Sequence, residues 1–520
     1  MSKTKKAAAK RKRDAQAQVG SNKKRAQNTT QVGGATLPPT PDSKSTTPES
    51  DHRLEPKSLS AVVSGEELEI TVDTLQTLAK HPSVIKSKGC KDLRAAVYDF
   101  RQACTTGVNT THGNGNGNGG GETNLTARVS AALVDGKYTD ALVLLAEMRI
   151  RDEAPKLGAL CRWVRDLDVT SGLSQTDDDS DPSSPRAKSR PELLRVLDAI
   201  SRVTGTVETK PTIGASLASS DPIAIQTLWD LRGDSGTRIP ILESVADGSI
   251  FQSCPTGLKE NFRVIETTPG AERKPPNAHP ALLYLSSDNA VPLSSTPPQI
   301  TYHKHPAVPH LSLMRDVFST GECRAIIAAM ESIGFLPDAP IRDDGAVSSI
   351  LAHNVYWVVD QAFHDALWRR VAPHIPALVG GRRARGINRR FRVYRYVPGA
   401  EYRVHFDGAW PPSGIDGETG KYLYDASPPA ARQSSLFTFL VYLNDNFEGG
   451  ETTFFTPSLR DGVLNAHPVR PAMGSVALFP HGESEGALLH EGTGVRRGAK
   501  YIIRTDVEFD VDVDPVSGAV

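Results

Sequence analysis

Apolar residues recur at helical spacing in the first half of the chain and change to a period of two after Asn388. Leu75, Leu78 and Ala79 mark one helix, with Thr71 as its expected cap, and Leu93, Ala96, Val97 and Phe100 mark another. Over 125–165 a helical hairpin is expected. Its first stripe is Leu125, Val129, Ala132 and Leu133, its second Ala141, Leu142, Leu144, Leu145 and Met148, and Gly136 lies in the turn. Pro191 opens a further amphipathic helix through Leu193, Leu194, Leu197 and Ile200, because its fixed φ suits a first helical position. Residues 206–300 show no steady period and are expected to form an irregular connecting region. Thr320–Ile333 reads as a helix, with Cys323, Ile326, Ile327 and Met330 on one face. Strand periods follow at 391–397, 402–406, 435–443, 474–479, 487–491 and 499–509, a run of short strands that predicts a sandwich or double-sheet barrel.

Composition divides the chain into segments. The length of 520 residues exceeds what one core serves. Residues 1–62 combine basic clusters with Ala, Gln, Ser, Thr and Pro and form an expected disordered tail. Its runs Lys10-Arg11-Lys12-Arg13 and Lys23-Lys24-Arg25 read equally as the halves of a nuclear-import signal and as a solvated tail. After a helical segment at 63–110, the glycine–asparagine run at 111–124 is a linker without assignable chemistry. A helical region at 125–205 contains an acidic, serine-rich linker near 171–190, and the strand-rich domain occupies 301–510. The formal net charge of +0 excludes a global field that would draw nucleic acid or a membrane surface. No apolar run is long enough to span a bilayer, and no apolar stretch follows the basic N-terminal residues as in a secretory signal. Five scattered cysteines without CxxC spacing argue against a disulfide or zinc framework. The expected setting is intracellular, nuclear or cytoplasmic.

The chemistry concentrates in the strand region. His405 and Asp407 flank Phe406; in a strand such a pair points to one face and converges on one cation. Two histidines and one carboxylate on one side of a metal leave positions open, an arrangement suited to non-haem Fe(II). His490 is the candidate third ligand. Its rival His481 follows Pro480 in a polar loop, where a surface role is the more natural one. Lys500 lies ten residues beyond His490, across Gly492, Gly494 and Gly498, and is expected to return beside His490 on an antiparallel neighbour. A buried ammonium there needs an anion, which a ligand carboxylate would supply.

The segment 396–407 resembles the prolyl 4-hydroxylase branch of the Fe(II)/2-oxoglutarate oxygenases, as do 436–444, Gly449-Gly450-Glu451-Thr452 and 474–479, in the order that leads to His490 and Lys500. The resemblance implies an α+β chain. It would carry a double-stranded β-helix (jelly-roll) oxygenase domain with support helices, preceded by a small helical region and the disordered tail. It also implies that Fe(2+) is held by His405, Asp407 and His490, and that Lys500 and Tyr442 bind 2-oxoglutarate, with Tyr396 and Thr438 lining the pocket. O2 would be the second co-substrate and L-ascorbate the auxiliary reductant, with release of succinate and CO2. The retained Asp407 implies hydroxylation rather than halogenation. Arg504, on the face of Lys500, and Trp410, Tyr422 and Tyr424, in the long loop 410–433, are substrate candidates. The expected substrate is a protein side chain. A nucleic acid would instead use Arg382, Arg383, Arg385, Arg389 and Arg390, whose commoner role is at a surface or helix end. The alternative to an enzyme is a non-catalytic nuclear scaffold on a degenerate oxygenase fold, against which the intact His/Asp/His/Lys set argues.

Overall fold

The computed structural model describes residues 62–106, 124–174, 190–204, 221–233, 240–252, 254, 257–274, 276–341, 352–482 and 484–512. The basic tail, the glycine–asparagine linker and the acidic linker lie outside the described residues except at their edges. The helices used below are α1 (Gly65–Ala79), α2 (Lys91–Thr106), α3 (Leu125–Val134), α4 (Tyr138–Ile150), α5 (Leu157–Leu167), α6 (Pro191–Thr204), α7 (Thr320–Ile333) and α8 (Gln361–Val371). Helix α1 belongs to a separate unit that ends at Ala79. It starts six residues before Thr71. Ser64 Oγ accepts from the Glu67 amide at 3.2 Å while the Glu67 carboxylate accepts from the Ser64 amide at 3.3 Å, a reciprocal cap. Thr71 is therefore not the cap; its hydroxyl turns back onto the Glu67 carbonyl.

The strands are β1 (Ile223–Ile225), β2 (Phe262–Thr268), β3 (Ala281–Ser286), β4 (Thr301–Lys304), β5 (Ser312–Arg315), β6 (His353–Val358), β7 (Arg382–Ile387), β8 (Arg390–Tyr396), β9 (Tyr402–His405), β10 (Gln433–Tyr442), β11 (Thr452–Pro457), β12 (Leu464–Val469), β13 (Val476–Pro480), β14 (Leu489–Gly492) and β15 (Lys500–Asp510). They build two facing sheets of a double-stranded β-helix. The smaller has the order β1-β12-β11-β14-β9. The larger follows β2-β3-β6-β8-β15-β10-β13-β5-β4, with β7 branching onto β15. The 206–300 segment is not a mere connection: β1 extends the smaller sheet in parallel beside β12, and β2 and β3 extend the larger.

Both sheets are covered on their outer faces, which explains why their strands lack a clean polar face. The larger sheet buries Phe391, Val393, Phe439, Val441, Tyr501 and Ile503 against Ile326, Ile327 and Met330 of α7 and Phe363 and Leu367 of α8. A capping box at Ser319 and Glu322 starts α7, and the same Glu322 holds Arg370 of α8 at 2.7 Å in a buried pair. The smaller sheet turns Val404, Phe406, Phe455, Leu464 and Leu489 outward into a core shared with α3, α4, α5 and α6. Adjacent residues thus serve opposite faces: Phe455 packs on the helices while Phe454 lies against His490.

The helical module is built as the periodicity requires, with the αL turn at Gly136 (φ 67°) joining α3 to α4. Helix α5, with Trp163 and Val164 buried, completes it, and its Trp163 Nε1 donates to Ser130 Oγ at 2.8 Å. The buried Asp198–Arg202 pair of α6 fastens the module to the turn between β11 and β12. Arg202 donates to the Ser458 and Arg460 carbonyls at 2.8 Å, and Asp198 accepts from the Gly462 amide at 2.8 Å. Leu194, fully buried in this core, gives the test. Leu194→Ala is expected to cost about 2–5 kcal/mol in chemical denaturation, and amide exchange should quicken in β9 and β14 because their outer face loses its cover.

Candidate active site

Strand β9 pairs antiparallel with β14, and a register shift between Tyr402 and His405 sets His405 directly opposite His490. Both side chains turn into the barrel, where their ring centroids are 4.2 Å apart. Asp407 stands two residues beyond the end of β9 and points into the same space. Its Oδ1 is 3.4 Å from His405 Nε2 and its Oδ2 is 3.7 Å from His490 Nε2. One ligand atom from each of the three residues lies within 4.8 Å of the others. Each imidazole is held through its other nitrogen: His405 Nδ1 lies 2.9 Å from the Arg403 carbonyl and His490 Nδ1 3.1 Å from the Leu488 carbonyl. That contact fixes the tautomer and presents Nε2 to the centre. Phe454 and Phe479 flank the ring of His490, and burial pushes its pKa down to about 3, so it is a neutral donor.

Burial works against the charge of Asp407, but Arg504 Nε at 3.3 Å from its Oδ2, with the two imidazoles, outweighs it and holds the carboxyl well below its usual range. Thr438 Oγ1 donates to the same Oδ2 at 2.7 Å. Thr438 therefore meets the Asp407 carboxylate itself. His481 is a correction to the sequence reading: it is buried rather than at the surface, and its Nδ1 lies 2.7 Å from Thr438 Oγ1.

Lys500 opens β15 in the opposite sheet. It pairs with Tyr396 of β8, so it is not a strand neighbour of His490 but faces it across the barrel. Lys500 and His490 line one pocket together with Tyr394, Tyr396, Tyr402, His405, Asp407, Thr452, Glu491 and Arg504. The ammonium is buried, 5.4 Å from the centroid of Tyr396 and 5.9 Å from that of Tyr442, and burial lowers its pKa to about 8. No carboxylate among the described residues pairs with it. Tyr442 is fully buried and its hydroxyl donates to Thr452 Oγ1 at 2.9 Å. Tyr394, Thr452 and Glu491 were missed as pocket residues. Tyr394 was findable, since it shares a strand face with Tyr396; nothing local marks Glu491, which is held by Ser171 from the helical module.

The loop candidates lie at the other end of the inward face of β8. Arg390 is held between Tyr356 and Trp410, each ring centroid 5.0 Å from its guanidinium carbon. Trp410 packs edge-on against Tyr424 at 5.7 Å, and the Tyr422 hydroxyl meets Ser413 at 3.0 Å. Of the arginines considered for nucleic acid, Arg385 is paired with Asp510 and Arg389 donates to the Val359 carbonyl, so both are committed to the fold.

Residues 391–505 match the family model described as the 2OG-Fe(II) oxygenase superfamily. This segment is a 2OG-Fe(II) oxygenase domain. No curated protein matches the chain. Among solved structures, the collagen prolyl hydroxylase of Paramecium bursaria Chlorella virus 1, in its 2-oxoglutarate complex, is 19% identical, with 39% of this chain and 97% of that one covered and a TM-score of 0.24. A prolyl-4-hydroxylase from Pseudomonas putida is 17% identical, covering 38% and 91% at 0.24. An oxidoreductase of the 2OG-Fe(II) oxygenase family from Burkholderia pseudomallei is 22% identical, covering 24% and 43% at 0.15. On the family model's match the oxygenase domain is that of a 2-oxoglutarate-dependent dioxygenase, whose family chemistry uses Fe(2+), 2-oxoglutarate and O2, and the scaffold alternative gives way to an enzyme. Its residues fit those groups on two observations: a convergent His/Asp/His donor set, and a buried ammonium with no paired carboxylate among the described residues. Among the described residues no helix is long and apolar enough to cross a membrane.

The protonation state of Lys500 supplies a pH test. Only the ammonium attracts a carboxylate, and its pKa in the free protein is about 8. Affinity for 2-oxoglutarate is therefore expected to be level below that pH and roughly tenfold weaker at pH 9 than at pH 7. Isothermal titration across that range checks this; in Lys500→Met the alkaline fall should vanish along with most of the affinity.

Proposed function

We propose that His405, Asp407 and His490 hold iron(II), that Lys500 receives the distal carboxylate of 2-oxoglutarate, and that the domain hydroxylates a polypeptide side chain with release of succinate and CO2. The observation that carries the reading is Lys500, a buried cation that lines one pocket with the His405, Asp407 and His490 cluster and has no ion-pair partner among the described residues. When bound, the iron supplies the oxidising chemistry that couples decarboxylation of 2-oxoglutarate to hydroxylation.

The chain's own residues do the rest. The backbone carbonyls behind His405 and His490 orient both imidazoles, and Arg504 keeps Asp407 ionised. Tyr442 acts at the co-substrate end through Thr452: by donating to Thr452 Oγ1 it leaves that hydroxyl's own proton free for the ligand carboxylate beside Lys500. Tyr396 packs under the Lys500 ammonium. Phe454 and Phe479 keep water from the side of His490. At the rim, Trp410 and Tyr422 offer aromatic faces beside Arg390, chemistry suited to an extended peptide. The resemblance of 396–407 to prolyl 4-hydroxylases supports a polypeptide target.

The test is succinate formation from 2-oxoglutarate by the full chain with iron(II), O2 and L-ascorbate. The wild type is expected to produce succinate, and His405→Ala and Asp407→Ala are expected to produce none. Lys500→Ala should need at least ~30-fold more 2-oxoglutarate, the equivalent of about 2 kcal/mol for a truncated buried charge pair. Full turnover by Asp407→Ala would remove that residue from the ligand set.

A further inference from the structure

The buried histidine that follows β13 lies between two side chains of β10, Thr438 beside Asp407 and Ser435 beside Trp410. On one side His481 Nδ1 lies 2.7 Å from Thr438 Oγ1, and Thr438 Oγ1 lies 2.7 Å from Asp407 Oδ2. On the other, His481 Nε2 lies 2.9 Å from Ser435 Oγ, and Ser435 Oγ accepts from the Trp410 amide at 2.9 Å. The Ser435 amide donates in return to the Trp410 carbonyl at 2.9 Å, so the first residue of the long loop is held to β10 from both sides.

The direction of every proton in this chain follows from counting donors. An ionised carboxylate only accepts, so the single proton of Thr438 goes to Asp407. Thr438 Oγ1 must then accept from His481, which places a proton on Nδ1. A neutral ring leaves Nε2 bare, and the Ser435 hydroxyl donates to it. Ser435 Oγ in turn accepts from Trp410. Burial keeps His481 neutral, with a pKa of about 3. Asp506 faces the same Nδ1 from β15, but at 3.5 Å it is no rival to Thr438 at 2.7 Å. The four hydrogen bonds thus all point from the Trp410 amide toward Asp407, and bonds aligned in series polarise one another in a dry interior.

We infer that His481 is a positioning residue whose Nδ1–H, through Thr438, orients the Asp407 carboxylate, and that Ser435 ties this orientation to the substrate-side loop at Trp410. The chemical effect is a choice between oxygens. Thr438 donates to Oδ2 and the Arg504 charge stands 3.3 Å from the same oxygen, which favours Oδ1, the oxygen facing His405 Nε2, as the ligand atom. Movement of the loop at Trp410 is transmitted along the same bonds to that oxygen.

The inference rests on His405, Asp407 and His490 being the metal's ligands, and cobalt(II) is a probe that separates the two. Cobalt affinity and its visible ligand-field spectrum would be measured on the full chain, with a melting temperature for every variant. His481→Asn keeps an N–H near the place of Nδ1; His481→Gln moves its amide toward Nε2 and leaves Thr438 without a donor. The glutamine variant is expected to bind cobalt ~10–100-fold more weakly with a shifted spectrum, and the asparagine variant to stay within about threefold of wild type. Thr438→Val should behave like the glutamine variant and Thr438→Ser like wild type. Ser435→Ala should speed exchange of the Trp410 amide and shift the cobalt spectrum, although it touches no ligand. Equal cobalt affinity in the Asn and Gln variants would overturn the inference, whether both match wild type or both fall with their melting temperatures, since His481 would then be only a space-filling residue. A wild type that binds cobalt no better than His405→Ala would instead bring down the metal-centre reading.

Discussion

The site depends on one strand register, the pairing that sets His405 directly across from His490. Side chains alternate along a strand, so a slip of one residue on β9 would send His405 out into the helical core and bring Val404 and Phe406 into the barrel. Strand β9 lies at the edge of the smaller sheet and contributes only four residues, a poor position from which to hold a register alone. The helical module supplies what is missing. The segment that follows α5 runs beside this edge: the Val169 carbonyl accepts from the Val404 amide at 3.1 Å, and Asp168 pairs with Arg403. Ser171 donates from its amide and its hydroxyl to Glu491, the residue after His490, and Ser174 Oγ accepts from the Gly494 amide at 2.6 Å. The same residues that cap the sheet thus fix both histidine-bearing strands. The module is therefore part of the oxygenase scaffold rather than an appended interaction domain.

The two sheets divide the work. The smaller carries the imidazoles on backbone that is pinned from outside, while the larger carries Lys500, Arg504 and Thr438 on long, well-paired strands. Register across β8, β15 and β10 places Tyr396 beside Lys500, Arg392 and Leu440 beside Arg504, and Thr438 beside Asp506. Cation and ligands can therefore face each other at a separation set by the barrel. Had Lys500 been the strand neighbour of His490, as its spacing alone suggested, the two side chains would not face each other across the pocket they line.

The site residues were legible because their spacing within one strand is a local property. His405 and Asp407 two apart, and Lys500 and Arg504 four apart, need only the period of two. Which strands are neighbours is a long-range property, and there the reading of Lys500 failed. His481 was misjudged because its neighbours in sequence are polar, while its neighbours in space, Ser435 and Thr438, lie 46 and 43 residues earlier on β10, the strand paired with β13. Strands β2 and β3 were illegible for another reason: much of β2 stays exposed near the sheet's end, so neither strand carries a strong apolar alternation. The helix at Gly65 was misplaced because Thr71 and Ser64 are equally good capping types, and only Ser64 has a glutamate three residues on.

The remaining question is why so many charges can share one barrel. Burial raises the pKa of Asp506 to about 7, and burial reinforced by Asp506 holds Glu508 well above its ordinary value. Asp506 and Glu508 are therefore at most partly ionised near neutrality. Arg392 is answered by Asp338 at 3.1 Å, and Arg504 by Asp407 at 3.3 Å. Among the described residues Lys500 has no ion-pair partner, only the charge of Glu451 acting on it, and Arg390 lies between two aromatic faces. An interior in which the acids are partly muted and a buried ammonium has no ion-pair partner among the described residues favours an anion in the pocket. A preference for an anion in this pocket thus centres on Lys500 and is strengthened by the balance of buried charge around it.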